Sequence, residues 1–153
     1  MYTKLIQQGQ DDSIMINQLC SRFANGENSE FVFFWGHQPS PSGLTTSCFS
    51  QWYESPFSVE GEVYKTAEHF MMAEKAKLFG AENSWHKILC AETPNEAKKL
   101  GRGVCGYHED VWRSNRFLIV VKGNTAKFGQ NPKMGKVLKE TKNKYLVEAS
   151  PYD

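Results

Sequence analysis

Hydrophobic and polar positions change period several times along the chain, and those changes mark its elements. Residues 1–30 are polar, but Ile14, Leu19 and Phe23 recur at broadly helical spacing after Asp12-Ser13, with Asn25-Gly26 as a stop. A short helix within an N-terminal extension is expected there. Phe31 to Trp35 is short, aromatic and closed by Gly36, which predicts a buried strand. Pro39, Pro41 and Gly43 then break the pattern into a loop, followed by the aromatic cluster Cys48–Tyr53. Phe57, Val59, Val63 and Tyr64 flank Glu60-Gly61 and predict a β-hairpin with Gly61 at positive φ.

The helical period takes over from Thr66. That residue can cap a helix reaching about Leu78, with Ala67, Phe70, Met71 and Leu78 on one side and Gly80 behind it. A short helix near Asn83–Ala91 would bury Trp85, Ile88 and Leu89. Thr93-Pro94-Asn95-Glu96 reads as a capping box with proline at the first helical position, and that helix ends at Gly101-Arg102-Gly103. The apolar run Phe117–Val121 could stand alone as a strand. The charged residues on either side of it favour one long helix from His108 to Phe128. Asn131-Pro132 restarts a helix through Leu138, and Tyr145–Val147 closes as a strand. The pattern predicts an α+β fold: a mainly helical single domain over residues 31–153, with a small antiparallel sheet or hairpin.

Length and charge narrow the function. A chain of 153 residues is long enough for one buried core. Its 18 Lys+Arg against 17 Asp+Glu argue against a broad nucleic-acid-binding face, which needs clustered surplus cations. The longest apolar run falls far short of the roughly 20 residues of a membrane helix. No charged-then-apolar leader opens the sequence, so a cytoplasmic protein with Cys20, Cys48, Cys90 and Cys105 reduced is expected. Cys105-Gly-Tyr-His108 offers two ligands where zinc needs three or four, so no metal and no cofactor is expected. Aromatics make up 13% of the chain, which suits either a core of large side chains or a pocket that stacks a flat ligand.

Few residues suggest chemistry by position alone. Glu68 lies in the first turn of its helix, where a carboxylate complements the helix dipole as readily as it catalyses. His69 follows it at about 100° round the helix, so the two need not act as a pair. Trp112 and Arg116 share a helix face, as a cation–π pair or as a stacking surface. Gly101-Arg102-Gly103 could hold a phosphate or simply end a helix.

The ordered segments carry more than any one of them. Phe33-Phe-Trp-Gly-His37, Phe49-Ser-Gln-Trp-Tyr53, Ser55-Pro-Phe57 and Ala67-Glu-His-Phe-Met-Met-Ala-Glu-Lys-Ala76 come first. Lys99-Leu-Gly-Arg102, Val111-Trp112, Arg116-Phe117, Val120-Val-Lys-Gly-Asn124, Ala126-Lys-Phe128, Gln130-Asn-Pro132 and Leu146-Val-Glu-Ala-Ser150 follow, with Asp153 last. In that order the chain resembles the NADAR family, the YbiA-like N-glycosidases once grouped as a domain of unknown function. The resemblance implies hydrolysis of an N-glycosidic bond between a base-like amine and a phosphorylated ribose. The substrates it implies are ribosylamino-pyrimidine phosphates of riboflavin synthesis, or ADP-ribose attached to guanine in nucleic acid.

Carried over by position, Glu68 matches the family's essential glutamate, Trp112 its pocket tryptophan and Asp153 its C-terminal aspartate. Arg102, Arg116 and Lys122 fall on basic positions and are expected to contact phosphate or ribose. Trp52 would aid stacking, with Gln51 and Lys75 as further substrate contacts. Lys75 or Lys122 could instead assist through an opened ribose. A carboxylate suits this chemistry because positive charge builds on the sugar as the C–N bond breaks. Related chains continue past the aspartate into a Trp-Gly-containing segment, so the 31–153 domain is expected to be cut at its C-terminus. The alternative is a catalytically weakened ADP-ribose- or nucleotide-binding module without turnover.

Overall fold

The computed structural model describes residues 3–27, 30–41 and 43–149, with side chains from Ile14 onward. The helices are α1 (Thr3–Ala24), α2 (Ala67–Leu78), α3 (Glu82–Cys90), α4 (Pro94–Arg102), α5 (Glu109–Gln130) and α6 (Pro132–Glu140). The strands are β1 (Phe31–Phe34), β2 (Phe57–Val59), β3 (Glu62–Tyr64) and β4 (Tyr145–Glu148). This is the mainly helical α+β domain that the pattern predicts. The 108–128 ambiguity resolves as one helix of 22 residues. α1 is also longer than expected, starting at Thr3 rather than near Asp12.

The hairpin β2–β3 is antiparallel, and both turn residues take positive φ, Glu60 at 54° and Gly61 at 87°. A two-residue loop with that geometry matches the right-handed twist of its strands. β1 pairs with β4 in parallel, Phe31 opposite Tyr145 through Phe34 opposite Glu148, as a two-stranded sheet separate from the hairpin. Parallel strands need a crossover, and here the hairpin and helices α2 to α6 supply it.

α2 is the centre of the molecule. Ala67, Glu68, His69, Phe70, Met72, Ala73 and Ala76 are all buried, so it is covered on most sides rather than along one stripe. α3, α4 and α5 pack around it. Two glycines permit the close approach. A Cβ on Gly101 of α4 would lie 2.1 Å from the Met72 sulfur, and one on Gly123 of α5 would lie 2.5 Å from the Phe70 ring. Phe70 sits edge-on to Tyr64 at 5.0 Å, tying the hairpin to the same core. A second, smaller core joins Cys48, Phe49 and Met134.

The caps explain where α2 and α4 begin. Thr66 Oγ1 accepts from the His69 amide at 3.3 Å, and Thr93 Oγ1 accepts from the Glu96 amide at 3.2 Å. Glu96 reaches back one residue further than a standard capping box, accepting from the Glu92 amide at 2.9 Å. Asn131 makes no cap bond for α6. Its amide instead donates to the Lys127 carbonyl at 2.8 Å and so closes α5. Among the described residues no helix is long and apolar enough to cross a membrane.

Candidate active site

The Thr66 cap fixes the first turn of α2, and that turn carries Glu68 inward. Its carboxylate is only 4% exposed, and Oε1 has no hydrogen-bond partner among the described groups. A buried acceptor left open costs about 1–3 kcal/mol, and folds rarely keep one without use. The Glu68 amide donates to the Gln51 carbonyl at 3.0 Å, which docks the Ser50–Trp52 turn on the start of α2. Burial pushes the Glu68 carboxyl up from its ordinary value. Lys98, the nearby Trp52 side chain and Arg102 oppose that rise, while Glu148 at the end of β4 adds to it. A carboxyl so placed keeps its proton to higher pH than an exposed carboxyl does.

α4 supplies the opposing cations from one face, since Lys98 and Arg102 are four residues apart. The Lys98 ammonium also lies 5.3 Å from the centroid of the Trp52 ring. The half-buried Trp52 meets His37 edge-on at 5.5 Å. It also forms one wall of a cavity of about 270 Å³, bounded by His37, Pro39, Lys65, Thr93 and Asn95. Ring, cavity and carboxylate are therefore contiguous through one side chain.

His69 turns away from this group, as its helical position requires. It is 1% exposed, with Nδ1 2.8 Å from Thr66 Oγ1 and Nε2 3.2 Å from the Ala91 carbonyl. The carbonyl can only accept, so Nε2 carries the proton and Nδ1 accepts from the threonine hydroxyl. Burial holds its pKa below the ordinary value. The ring is a neutral tie between α2 and α3.

The other expected residues form a second cluster. Lys75 sits two turns after Glu68 on the same face of α2, roughly 10 Å along the axis. Its ammonium lies 4.2 Å from the Tyr107 ring centroid and 5.5 Å from that of Trp112. Burial lowers the Lys75 pKa, and Glu109 opposes that shift. Phe79 packs against Tyr107 at 5.4 Å, and the Tyr107 hydroxyl donates to Glu109. Arg116 stands exposed one turn beyond Trp112 on α5.

Two expected contacts already have partners. Lys122 bonds Glu60 of the hairpin turn at 2.6 Å and lies 4.0 Å from Glu74. Gln51 donates its amide to Asn124 at 3.1 Å. Asp153 lies outside the described residues. The sequence pattern alone singles out neither Lys98 nor Glu148 as a site residue. The four-residue spacing of Lys98 and Arg102 was the available signal for the first, and nothing local announced the second.

Residues 33–153 match the NADAR domain family. The chain belongs to that family. It is 41% identical to N-glycosidase R617 of Acanthamoeba polyphaga mimivirus over 132 residues, covering 83% of this chain and 76% of that protein. It is 29% identical to N-glycosidase YbiA of Escherichia coli (strain K12) over 105 residues, covering 69% of this chain and 64% of YbiA. The NMR structure of E. coli YbiA superposes with a TM-score of 0.69 at 25% identity, over 82% of this chain and 70% of that one. The shared fold is thus the NADAR fold.

Proposed function

We propose that this chain is an N-glycosidase that hydrolyses the bond between a nucleobase-like amine and a phosphorylated ribose. The observation that carries the reading is Glu68: a buried carboxylate with one open oxygen, bordered by an aromatic plane and two cations, in a family whose curated relatives are N-glycosidases. The substrate class is ribosylamino-pyrimidine phosphates, ADP-ribose on guanine, or both.

Cleavage leaves the electron pair of the C–N bond on the departing amine and positive charge on the ribose. Ionised Glu68 stabilises that charge and orients the water whose oxygen replaces the amine. Its raised pKa suits it to take the water's proton as the new C–O bond forms. The amine leaves after gaining a proton, for which Asp153 is the second carboxylate of the reading. Lys98 and Arg102 hold the phosphorylated sugar, and Trp52 covers it. Lys75, two turns along α2 from Glu68, and Trp112 and Arg116 of α5 serve the remoter end of the substrate, and Lys122 and Gln51 serve from the rim.

Chromatography after incubation with a ribosylamino-pyrimidine phosphate, and separately with ADP-ribosyl-guanine DNA, tests this. Free base released from at least one substrate is the expected result. Tight binding of ADP-ribose with no release from either would overturn it in favour of a binding module.

A further inference from the structure

The chemistry above makes no use of one charged group that is wholly enclosed. Lys127 of α5 is 0% exposed, and among the described residues no carboxylate pairs with it. Lysines are almost never fully buried, because an enclosed ammonium loses its water shell. Its Nζ donates to the Ser50 carbonyl at 2.7 Å. The next carbonyl, that of Gln51, accepts from the Glu68 amide at 3.0 Å. The Ser50 hydroxyl in turn accepts from the Trp52 amide at 3.2 Å. Three consecutive residues are thereby held between α5 on one side and the first turn of α2 on the other.

Lys127 does not act alone. Asn124, one turn earlier, pairs with the Gln51 amide at 3.1 Å. Gln130, one turn later, accepts from the Ser58 amide at 2.8 Å and donates to the Ser58 carbonyl at 2.7 Å. Asn131 donates to the Pro56 carbonyl at 3.2 Å. Spacings of three, six and seven place all four on one stripe of α5, aligned with the segment from Ser50 to Ser58.

We propose that Lys127 is a positioning residue: its buried ammonium, with Asn124 beside it, fixes the Ser50–Trp52 turn so that Trp52 lies against Glu68. A lysine spans the distance from the α5 backbone to a main-chain oxygen that a hydrophobic side chain of the same length would fill around but not hold. The part concerning turnover rests on the N-glycosidase reading, whereas the part concerning Trp52 does not.

The test uses the full chain carrying 5-fluorotryptophan, whose four tryptophans give four fluorine resonances, with Trp52 assigned by Trp52→Phe. Lys127→Met keeps the volume and removes the donor. The expected result is a displaced or broadened Trp52 resonance with the Trp85 resonance of α3 unmoved. Alongside it, kcat for base release should fall about 10- to 100-fold, the range a misplacement near 1 Å produces, with KM nearly unchanged. Asn124→Ala should move the same resonance, and it carries the test if Lys127→Met does not fold. An unmoved Trp52 resonance in a folded variant would overturn the proposal. If the resonance moves while wild type releases no base, the clamp stands and the N-glycosidase reading falls.

Discussion

Glu68 and Lys127 are both buried and ionisable, and they flank the same three-residue turn, yet the fold treats them differently. Glu68 keeps an oxygen open and is met by two cations of α4 together with a tryptophan. Among the described residues Lys127 has no opposite charge beside it; around it are the Ser50 carbonyl, the buried Cys48 and the face of Phe128 at 5.1 Å. One charge is balanced through space and left available. The other is spent on a main-chain bond. On the proposed reading, that difference separates a group placed for chemistry from a group placed to hold geometry, which burial alone cannot do.

The contrast can be broken at several points. The largest effect outside Glu68 itself should come from Trp52→Ala, which removes both the polar ring that lowers the Glu68 pKa and a wall of the cavity. Turnover should drop by about 10²-fold in steady-state assays, in line with lost orientation. The Glu68 pKa should climb further, moving the acidic limb of the kcat/KM profile to higher pH. Lys98→Met should move that limb in the same direction, because Lys98 exerts the strongest opposing pull. A limb that stays in place in both variants would separate the profile from Glu68.

Next in size is packing. Gly101→Ala drives a methyl group into Met72, whose helix carries Glu68, and Gly123→Ala does the same against Phe70. Each should destabilise by about 1–3 kcal/mol in chemical denaturation. The same substitution at Gly26, with open space around it but φ of 89°, would test backbone strain without a clash.

The pH dependence of stability gives the smallest and most specific signals. Lys127 is held at about 8 by burial, below its ordinary 10.5. Between those values the unfolded chain binds a proton that the native chain does not, so stability should rise as pH climbs from 8 to 10.5, by at most about 3 kcal/mol. Cys48 is the titratable neighbour, with its thiol pushed up by burial. Thermal midpoints across that window should rise in wild type and lose that component in Lys127→Met. His69 sets the acid side: its pKa is lowered, so the stability from keeping it neutral is lost as pH falls below 6.5.

Much of the fold could be read locally, because caps and turns are local. Thr66, Thr93 and the Glu60-Gly61 turn act where their positions predict. The parallel pairing of β1 with β4 was not legible, since it joins residues more than a hundred positions apart and neither strand states its partner. Asn131 shows the limit of a cap motif: Pro132 opens α6 as expected, but the lone asparagine serves α5 and the Pro56 carbonyl instead. Glu68 was legible as a position and through family resemblance, and its divergence from His69 followed from helix geometry. The convergence of Lys98, Arg102 and Glu148 on it was not, because three separate elements create it. Nor could spacing show that Trp52 lies with Glu68 while Trp112 lies with Lys75.

On the proposed reading Glu68 is kept buried for turnover, at a cost to the fold. Its pKa is raised, so above its ordinary value the native state retains a proton that the unfolded chain has released, and stability falls as pH rises through that window. Glu68→Gln removes the penalty and the chemistry together. Base release and thermal midpoint measured on the same preparation at neutral pH should show turnover reduced by about 10²–10⁴-fold while the midpoint rises. Base release at the wild-type rate in a folded Glu68→Gln protein would contradict the account.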